Sequence, residues 1–193
     1  MSLIQPILQP DLLGQLTTLS PMRPDDWDAL YAAASDPAIW ALHPTPTRYR
    51  EEEFRAYFQS GLDGGGALVI RDRATGAVIG STRYHGHDPD LGEIEIGWTF
   101  LTRRYWGGRY NREVKRLMIG HAFTFVDKAI FWVGVENLRS RAAMEKIGGV
   151  LRPGMVDRGT GGLHVVYEIA SRPGWDAQLA VTDRTPSSTP PIS

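Results

Sequence analysis

The sequence predicts a single α/β domain built on one mixed sheet. The apolar patterns along the chain follow the order β-α-α-β-β-β-α-β-α-β-β. Segment 93–101 alternates as a strand does, and segment 111–127 carries apolar residues at helical spacing. No composition shift or repeat divides the 193 residues, a length that can bury its own core. We therefore expect one domain over 15–175, an N-terminal tail at 1–14 and a flexible, proline-rich C-terminal tail at 176–193.

The elements of the N-terminal half have recognisable beginnings and ends. A short strand over 15–22 ends near a proline, and two acids after the next proline begin a helix over 25–34. Aromatic residues at helical spacing predict a second helix over 51–62, which is followed by three glycines. Two strands over 67–71 and 77–84 are separated by a glycine-containing turn, as in a hairpin.

The C-terminal half begins with the most regular alternation in the chain, EIEIGW. The long helix after it has an apolar stripe, and the elements that follow are shorter. In order, we predict a strand at 93–101, a helix at 111–127, a strand at 130–135, a helix at 140–147 and closing strands at 150–156 and 163–169.

Composition excludes several classes of function. A net charge of −1 gives no overall field that would attract nucleic acid or an anionic membrane. The chain has no cysteine, which rules out disulfides, thiolate metal sites and a cysteine nucleophile. It shows neither a signal-peptide pattern nor an apolar segment of membrane-spanning length, so we expect a cytoplasmic protein.

The most informative segment is 103–116, RRYWGGRYNREVKR, with six basic residues and one acid. Two glycines lie directly before the predicted helix, where N–H groups lack partners and the helix dipole is positive. Glycine lets a phosphate approach the backbone, and arginine adds charge-assisted hydrogen bonds. The segment therefore predicts a phosphate site, the alternative being a relaxed turn followed by a solvated basic helix. Its spacing is neither that of a dinucleotide motif nor that of a P-loop.

This segment and two others resemble the GNAT N-acetyltransferase superfamily, and within it the branch that includes the ribosomal-protein N-terminal (alanine) acetyltransferases. The likeness covers about 15–175 and is carried by EIEIGWTFL at 93–101, RYWGGRYN at 104–111 and NLRSRAAMEKIG at 137–148. The resemblance implies the GNAT fold, a mostly antiparallel sheet flanked by helices. It also implies acetyl-coenzyme A as cosubstrate and no metal.

The resemblance implies a set of coenzyme A-binding residues. The family loop R/Q-x-x-G-x-G/A falls on Arg104, Gly107 and Arg109. An arginine at the last position requires a backbone that avoids positive φ. The full predicted set is Phe100, Leu101, Arg104, Trp106, Gly107, Gly108, Arg109, Tyr110, Asn111, Asn137, Ser140, Arg141 and Lys146. Helix capping is the alternative for Asn137, and a solvated helix face is the alternative for Arg141 and Lys146.

Candidate catalytic residues follow from the chemistry of acetyl transfer, which needs a neutral amine and a polarised thioester. Glu93 and Glu95 lie on one face of the predicted strand and are candidate bases, with an ion-paired or solvent-facing pair as the alternative. The spacing of Glu93 to the loop resembles that of the catalytic Glu in several family members, and Glu95 is the reserve. Where relatives often carry a tyrosine as proton donor, this chain has Met144, so Ser140 is the candidate donor.

Together these features predict an acetyl-coenzyme A-dependent N-acetyltransferase in which an amine attacks the thioester directly. The expected acceptor is a protein or peptide N-terminus or a small-molecule amine, and the expected assembly is a monomer or homodimer. A coenzyme A-binding regulatory or interaction module without turnover is the alternative, because Arg109 and Met144 depart from the family pattern. Trp40 and His43 are candidates for the acceptor cleft, and His85 and His87 more plausibly form a polar loop than a metal site.

Overall fold

The computed structural model describes residues 6–157, 159 and 162–175. Within these ranges nine strands form one sheet in the order β1-β2-β3-β4-β5-β6-β9-β7, and β8 pairs with β9. The strands are β1 Leu12–Leu13, β2 Thr17–Pro21, β3 Ala67–Asp72, β4 Val78–Asp88, β5 Glu93–Leu101, β6 Lys128–Gly134, β7 Val150–Leu151, β8 Val156–Asp157 and β9 Leu163–Ala170. The helices are α1 Trp27–Ala34, α2 Pro37–Trp40, α3 Glu51–Asp63, α4 Arg109–Ala122 and α5 Leu138–Lys146.

The predicted mixed, mostly antiparallel sheet with flanking helices is confirmed. Among the described strands only β5 and β6 pair in parallel. The long helix begins two residues earlier than predicted and ends at Ala122, and the predicted strand 150–156 divides into β7 and β8. Helix α2 was missed, as was β1, which lies inside the predicted N-terminal tail and pairs with β2. The predicted tail at 176–193 lies outside the described residues.

Helices cover both faces of the sheet, which explains why its central strands are buried on both sides. On one face α4 and α5 contribute Val114, Met118 and Met144 to a core shared with the central strands. On the other face α1, α2 and α3 form a second core rich in aromatic rings, including Trp40 and Phe54. None of the described helices is both long and apolar enough to cross a bilayer.

The central strands β5 and β6 stay together for only three residue pairs, from Glu93–Lys128 to Glu95–Ile130. Beyond that point β5 is distorted. Trp98 has a φ of +50°, the one positive value found at a non-glycine residue in the described ranges, and the register against β4 shifts nearby. The strands consequently separate towards their C-terminal ends. The carbonyl of Trp98 accepts a hydrogen bond from the Tyr57 hydroxyl (2.6 Å).

The N-terminal segment is fixed to α4 by one carboxylate. Glu113 accepts hydrogen bonds from the backbone N–H groups of Gln15 (2.7 Å), Leu16 (2.9 Å) and Thr17 (2.7 Å), and from the Thr17 hydroxyl (2.8 Å). A Cβ at Gly14 would lie 2.4 Å from Glu113 Oε2, so the approach depends on glycine. The start of the chain is thereby held against the helix that follows the basic loop.

We expect Glu113→Ala to lower the free energy of unfolding by about 2 kcal/mol, because it leaves three backbone N–H groups, two of them partly buried, without their acceptor. Urea unfolding measures this change. Glu52→Ala, at an exposed position on α3, is the matched control and should change stability by less than about 0.5 kcal/mol. Equal stability of the two variants would contradict the anchoring role of Glu113.

Candidate active site

The basic loop has the geometry of an anion site. After a short 3-10 turn at Arg103–Tyr105, Gly107 and Gly108 adopt φ values of +99° and +110°, which favour glycine. A Cβ at Gly107 would meet nothing within 4 Å, so the loop backbone faces open space. Arg109 is the first residue of α4 and avoids positive φ, so a side chain is tolerated at this position. The first N–H groups of α4 therefore point towards the space above the loop.

Side chains around the loop hold its shape. The indole N–H of Trp106 donates to the carbonyl of Leu101 (2.8 Å), which ties the loop back to the end of β5. The ring of Trp106 is 39% exposed, and the Arg139 guanidinium of α5 lies 4.3 Å from its centroid. Arg104 is exposed beside them. The loop thus presents positive charge on two sides.

Several predicted binding residues have side chains that face elsewhere. Phe100 and Leu101 are buried in the two different cores. The hydroxyl of Tyr110 donates to the Asp72 carboxylate (2.8 Å), and this hydrogen bond raises the pKa of Tyr110 and lowers that of Asp72. For these three residues only the backbone is left for a ligand at the loop.

The turn after β6 is built by Asn137, whose Oδ1 accepts a hydrogen bond from the Ser140 N–H (3.1 Å) and caps α5. Ser140 is half-buried in the first turn of α5. Arg141 donates to the carbonyl of Val135 (3.2 Å) and so stabilises the same turn. Lys146 is exposed at the other end of α5, about 12 Å along the helix axis. The structure therefore brings Asn137, Ser140 and Arg141 together but not Lys146.

Glu93 lies at the closed end of the β5–β6 pair. Its carboxylate accepts hydrogen bonds from Arg152 Nη1 and Lys128 Nζ, both at 3.1 Å, and Arg152 also pairs with Glu168 (2.7 Å). The bond from Arg152, followed by that from Lys128, holds the pKa of Glu93 below its ordinary value despite burial. A buried carboxylate with two cationic partners is a weak base.

Glu95 is the last residue of β5 that pairs with β6, opposite Ile130. Its side chain is buried, and a Cβ at Gly97 would lie 3.4 Å from Glu95 Oε1. Burial lowers the pKa of the Arg83 guanidinium, and the negative charge of Glu95 raises it. Because its pairing with β6 is the last, Glu95 lies at the point where the two strands separate.

A buried lysine lies beneath the separated strands. Lys115 of α4 is 5% exposed; its Nζ donates to the Thr99 hydroxyl of β5 (3.1 Å) and lies 4.9 Å from the Phe131 ring of β6. Within the described residues no ion pair joins it to a carboxylate. Burial lowers the pKa of Lys115 from 10.5 to about 8.

A cleft of about 420 Å³ opens between the segment after α2, the turn after β6 and the start of β9. Two histidines line it. His43 accepts a hydrogen bond from the Thr45 N–H (3.0 Å), and Arg48 Nη1 lies 3.0 Å from its Nε2. Burial, then the charge of Arg48, lowers the pKa of His43 to about 3, so this ring is neutral. His164 is 7% exposed, and its Nδ1 has no hydrogen-bond partner among the described residues.

Sequence reasoning named one residue of this cleft. His43, a candidate for the acceptor cleft, lines it, whereas Trp40 belongs to the core and donates its indole N–H to Ala34 O (2.8 Å). His164 was missed because one histidine inside an apolar strand gives no signal of its own. Lys115 was missed because it belongs to a run of basic residues that suggests solvent exposure. Its helical spacing to the buried Met118, Ile119 and Ala122 was the available signal.

His85 and His87 lie in β4 rather than in the predicted loop. His87 packs its ring against Phe125 (5.6 Å between centroids) and His85 against Trp98 (5.2 Å). No group of three potential metal ligands occurs in the described part of the chain.

Comparisons with known proteins agree with the fold. A family model described as an acetyltransferase (GNAT) domain matches residues 17–150. A GCN5-related N-acetyltransferase from Brucella melitensis is 19% identical with a TM-score of 0.78, covering 90% of this chain and 85% of that chain. Mycobacterium smegmatis RimJ, solved in complex with CoA-disulfide, is 18% identical with a TM-score of 0.73, covering 93% and 98%. An acetyltransferase from Agrobacterium tumefaciens str. C58 is 25% identical with a TM-score of 0.65, covering 89% and 99%. No curated protein matches the chain.

We expect Lys115→Met to stabilise the protein by about 2 kcal/mol at pH 7, because an isolated buried cation is replaced by an apolar side chain of similar length. The folded state holds Lys115 with a lower pKa than the unfolded state does. Between pH 8 and about 10.5 the unfolded chain therefore binds more protons, and the stability of the unmodified protein rises with pH.

The advantage of the Lys115→Met variant should consequently shrink across this pH range. Denaturant unfolding from pH 7 to 10.5 measures it, with Lys146→Met at an exposed position of α5 as the control. A constant difference between Lys115→Met and the unmodified protein would show that Lys115 is not a buried titrating group.

Proposed function

This chain belongs to the GNAT acetyltransferase family and is an N-acetyltransferase, and we propose that it transfers acetyl from acetyl-coenzyme A to the α-amino group of a protein or peptide. A small-molecule amine is the second acceptor class. The observation that carries the proposal is the gap between β5 and β6, which has the glycine loop at one edge and the Asn137 turn at the other.

The residues at the open end of the gap fit coenzyme A. The cosubstrate supplies an activated acetyl thioester when bound. The backbone N–H groups at the start of α4 suit its pyrophosphate, since the approach is free of side chains at Gly107 and the neighbour at Gly108 is the guanidinium of Arg112. Arg104 and Arg109 add positive charge there, and Asn137 remains a candidate for the pantetheine arm through its amide N–H₂. The similar RimJ structure was solved in complex with CoA-disulfide, which supports coenzyme A as the ligand.

The cleft lined by His43 and His164 is proposed as the acceptor site, because it adjoins the Asn137 turn. A neutral His43 neither repels an incoming amine nor competes for its proton. Freeing a lysine-type amine at pH 7 costs about 4.6 kcal/mol, whereas freeing an α-amino group costs about 1 to 1.4 kcal/mol. One carboxylate, Glu136, lines the cleft. We expect a strongly basic amine to need more negative charge around it than one carboxylate supplies. The chemistry of the cleft therefore favours the α-amino acceptor.

For the base we propose Glu95, acting on the amine through water. Glu93 is committed to Arg152 and Lys128, whereas Glu95 lies where the strands separate. Ser140 is retained as the proposed proton donor to the departing sulfur, because it lies in the first turn of α5 beside Asn137. These roles assign proton removal to β5 and proton delivery to α5, on opposite sides of the gap.

Removing positive charge from the loop should weaken coenzyme binding specifically. We expect Arg104→Gln and Arg109→Gln each to raise the KM for acetyl-coenzyme A roughly tenfold, the loss of one charge-assisted hydrogen bond, with kcat within about twofold. Arg116→Gln, on the exposed face of the same helix, is the matched control and should leave KM unchanged. Gly107→Val is a poorer test, since its φ of +99° already disfavours a branched residue.

A saturating ligand provides a second measurement. Acetyl-coenzyme A at 100 times its Kd should add about 2.7 kcal/mol of stability. Stabilisation without thiol release over a panel of amines would support the binding-only module, and the absence of stabilisation would contradict the loop assignment.

The pH dependence of Glu95→Gln tests both the base and the acceptor. With an α-amino acceptor, whose pKa is about 7.7–8.0, we expect kcat/KM to fall mainly below pH 8 and to recover at higher pH. With a lysine-like acceptor the defect should persist beyond pH 9. Glu93→Gln is the control: it should lower stability through its lost ion pairs while leaving the shape of the profile unchanged. A profile that Glu95→Gln does not alter would remove Glu95 from the mechanism.

A further inference from the structure

We propose that the ammonium group of Lys115 receives the negative charge that develops on the thioester sulfur during acetyl transfer. The inference rests on the proposed function and names a further catalytic residue for the same reaction. It goes beyond the loop and cleft residues because Lys115 belongs to neither.

The position of Lys115 is the first support. Its Nζ contacts Thr99 on β5 and the ring of Phe131 on β6, so the ammonium bridges the two strands after their pairing has ended. Lys115 lies six residues after Arg109, the first residue of α4, which is about 9 Å along the helix axis. A ligand whose phosphates occupy the loop and whose arm enters the gap is thereby directed towards this ammonium.

The surroundings of Lys115 are the second support. Its contacts, a hydroxyl and an aromatic ring, are both neutral, although a buried cation is normally paired. The ammonium therefore lies in a region of low dielectric where an anion would be strongly favoured. Burial lowers the pKa of Lys115, and a neighbouring thiolate would raise it again. The gap thus presents a positive charge that gains most from an anion forming beside it.

The reaction step is balanced without a further reactant. The acceptor nitrogen attacks the thioester carbonyl carbon, a C–N bond forms and the C–S bond breaks. The electron pair of the broken bond leaves on sulfur, which Lys115 holds as an ion pair. The nitrogen gives up one proton through water to Glu95, which later releases it to solvent. The sulfur takes one proton from the Ser140 hydroxyl, which regains a proton from solvent, so the net change is one proton moved from nitrogen to sulfur. Lys115 remains protonated throughout.

Thr99 positions the ammonium. Its hydroxyl accepts from Lys115 Nζ (3.1 Å) and lies 2.8 Å from the Thr82 hydroxyl of the neighbouring strand. This short chain of hydroxyl groups holds the flexible lysine on the β5 side of the gap.

The decisive measurement is the pKa of the coenzyme A thiol in its binary complex, read from the ultraviolet absorbance of the thiolate. In solution a thiol has a pKa of about 8.5. We expect the acid dissociation constant of the bound thiol to be at least tenfold larger than in solution when the protein is unmodified. In Lys115→Met we expect the constant to return to its solution value. We also expect Lys115→Met to lower kcat at least tenfold, with the KM for acetyl-coenzyme A within about threefold.

Arg116→Met, an exposed cation on the same helix, is the matched control and should alter neither quantity. Lys115→Gln provides a second variant if Lys115→Met does not fold. Reciprocity gives an independent readout: coenzyme A should raise the pKa of Lys115 above its free value, measured from the pH dependence of stability with and without ligand.

A bound thiol with the same pKa in the unmodified protein and in Lys115→Met would overturn the inference while leaving the proposed function intact. If calorimetry shows that the unmodified protein does not bind coenzyme A, both the proposed function and this inference are wrong.

Discussion

The active region depends on one constraint, the early end of the parallel pairing between β5 and β6. A parallel pair in the middle of a sheet would ordinarily continue along its whole length and leave no space between the strands. Here pairing stops after Glu95 and Ile130, and the distortion at Trp98 turns β5 away. The glycine loop follows the free end of β5, and the Asn137 turn follows that of β6. The edges of the gap are therefore defined by the chain segments that follow each strand.

Charge is distributed along this gap in a consistent order. At the closed end Glu93 and Glu168 are neutralised by Arg152 and Lys128, which stabilises the paired part of the strands. At the open end the arginines of the loop are exposed. Lys115 lies between them, buried and without a carboxylate partner among the described residues. Electrostatic stabilisation in a water-excluded site is stronger than at the surface, which is why the proposal assigns the charge formed on sulfur to this cation.

Most of the fold was predictable from sequence because its elements carry local signals. Alternation predicts strand β5 with its observed bounds. Apolar residues at helical spacing predict α3 to within one residue, and they predict α4 with an end five residues beyond the observed one. Strand β1 and helix α2 were missed because two and four residues are too short to show periodicity. The loop residues are proposed from the glycines and the charge of the segment. The ion pairs of Glu93, the burial of Lys115 and the cleft around His164 depend on contacts between distant segments, which no local pattern encodes.

The hydroxyl of Tyr57 bonds the Trp98 carbonyl where the register between β4 and β5 is irregular, and it also lies 2.7 Å from the Ser81 hydroxyl of β4. The distorted part of β5 is therefore already held before any ligand arrives. Entry of a slender molecule into the gap breaks no ladder hydrogen bond there and requires little reordering of the backbone. The slot is preorganised, so the ordering entropy of binding falls mainly on the ligand, and exchange of product for fresh substrate does not require the sheet to open.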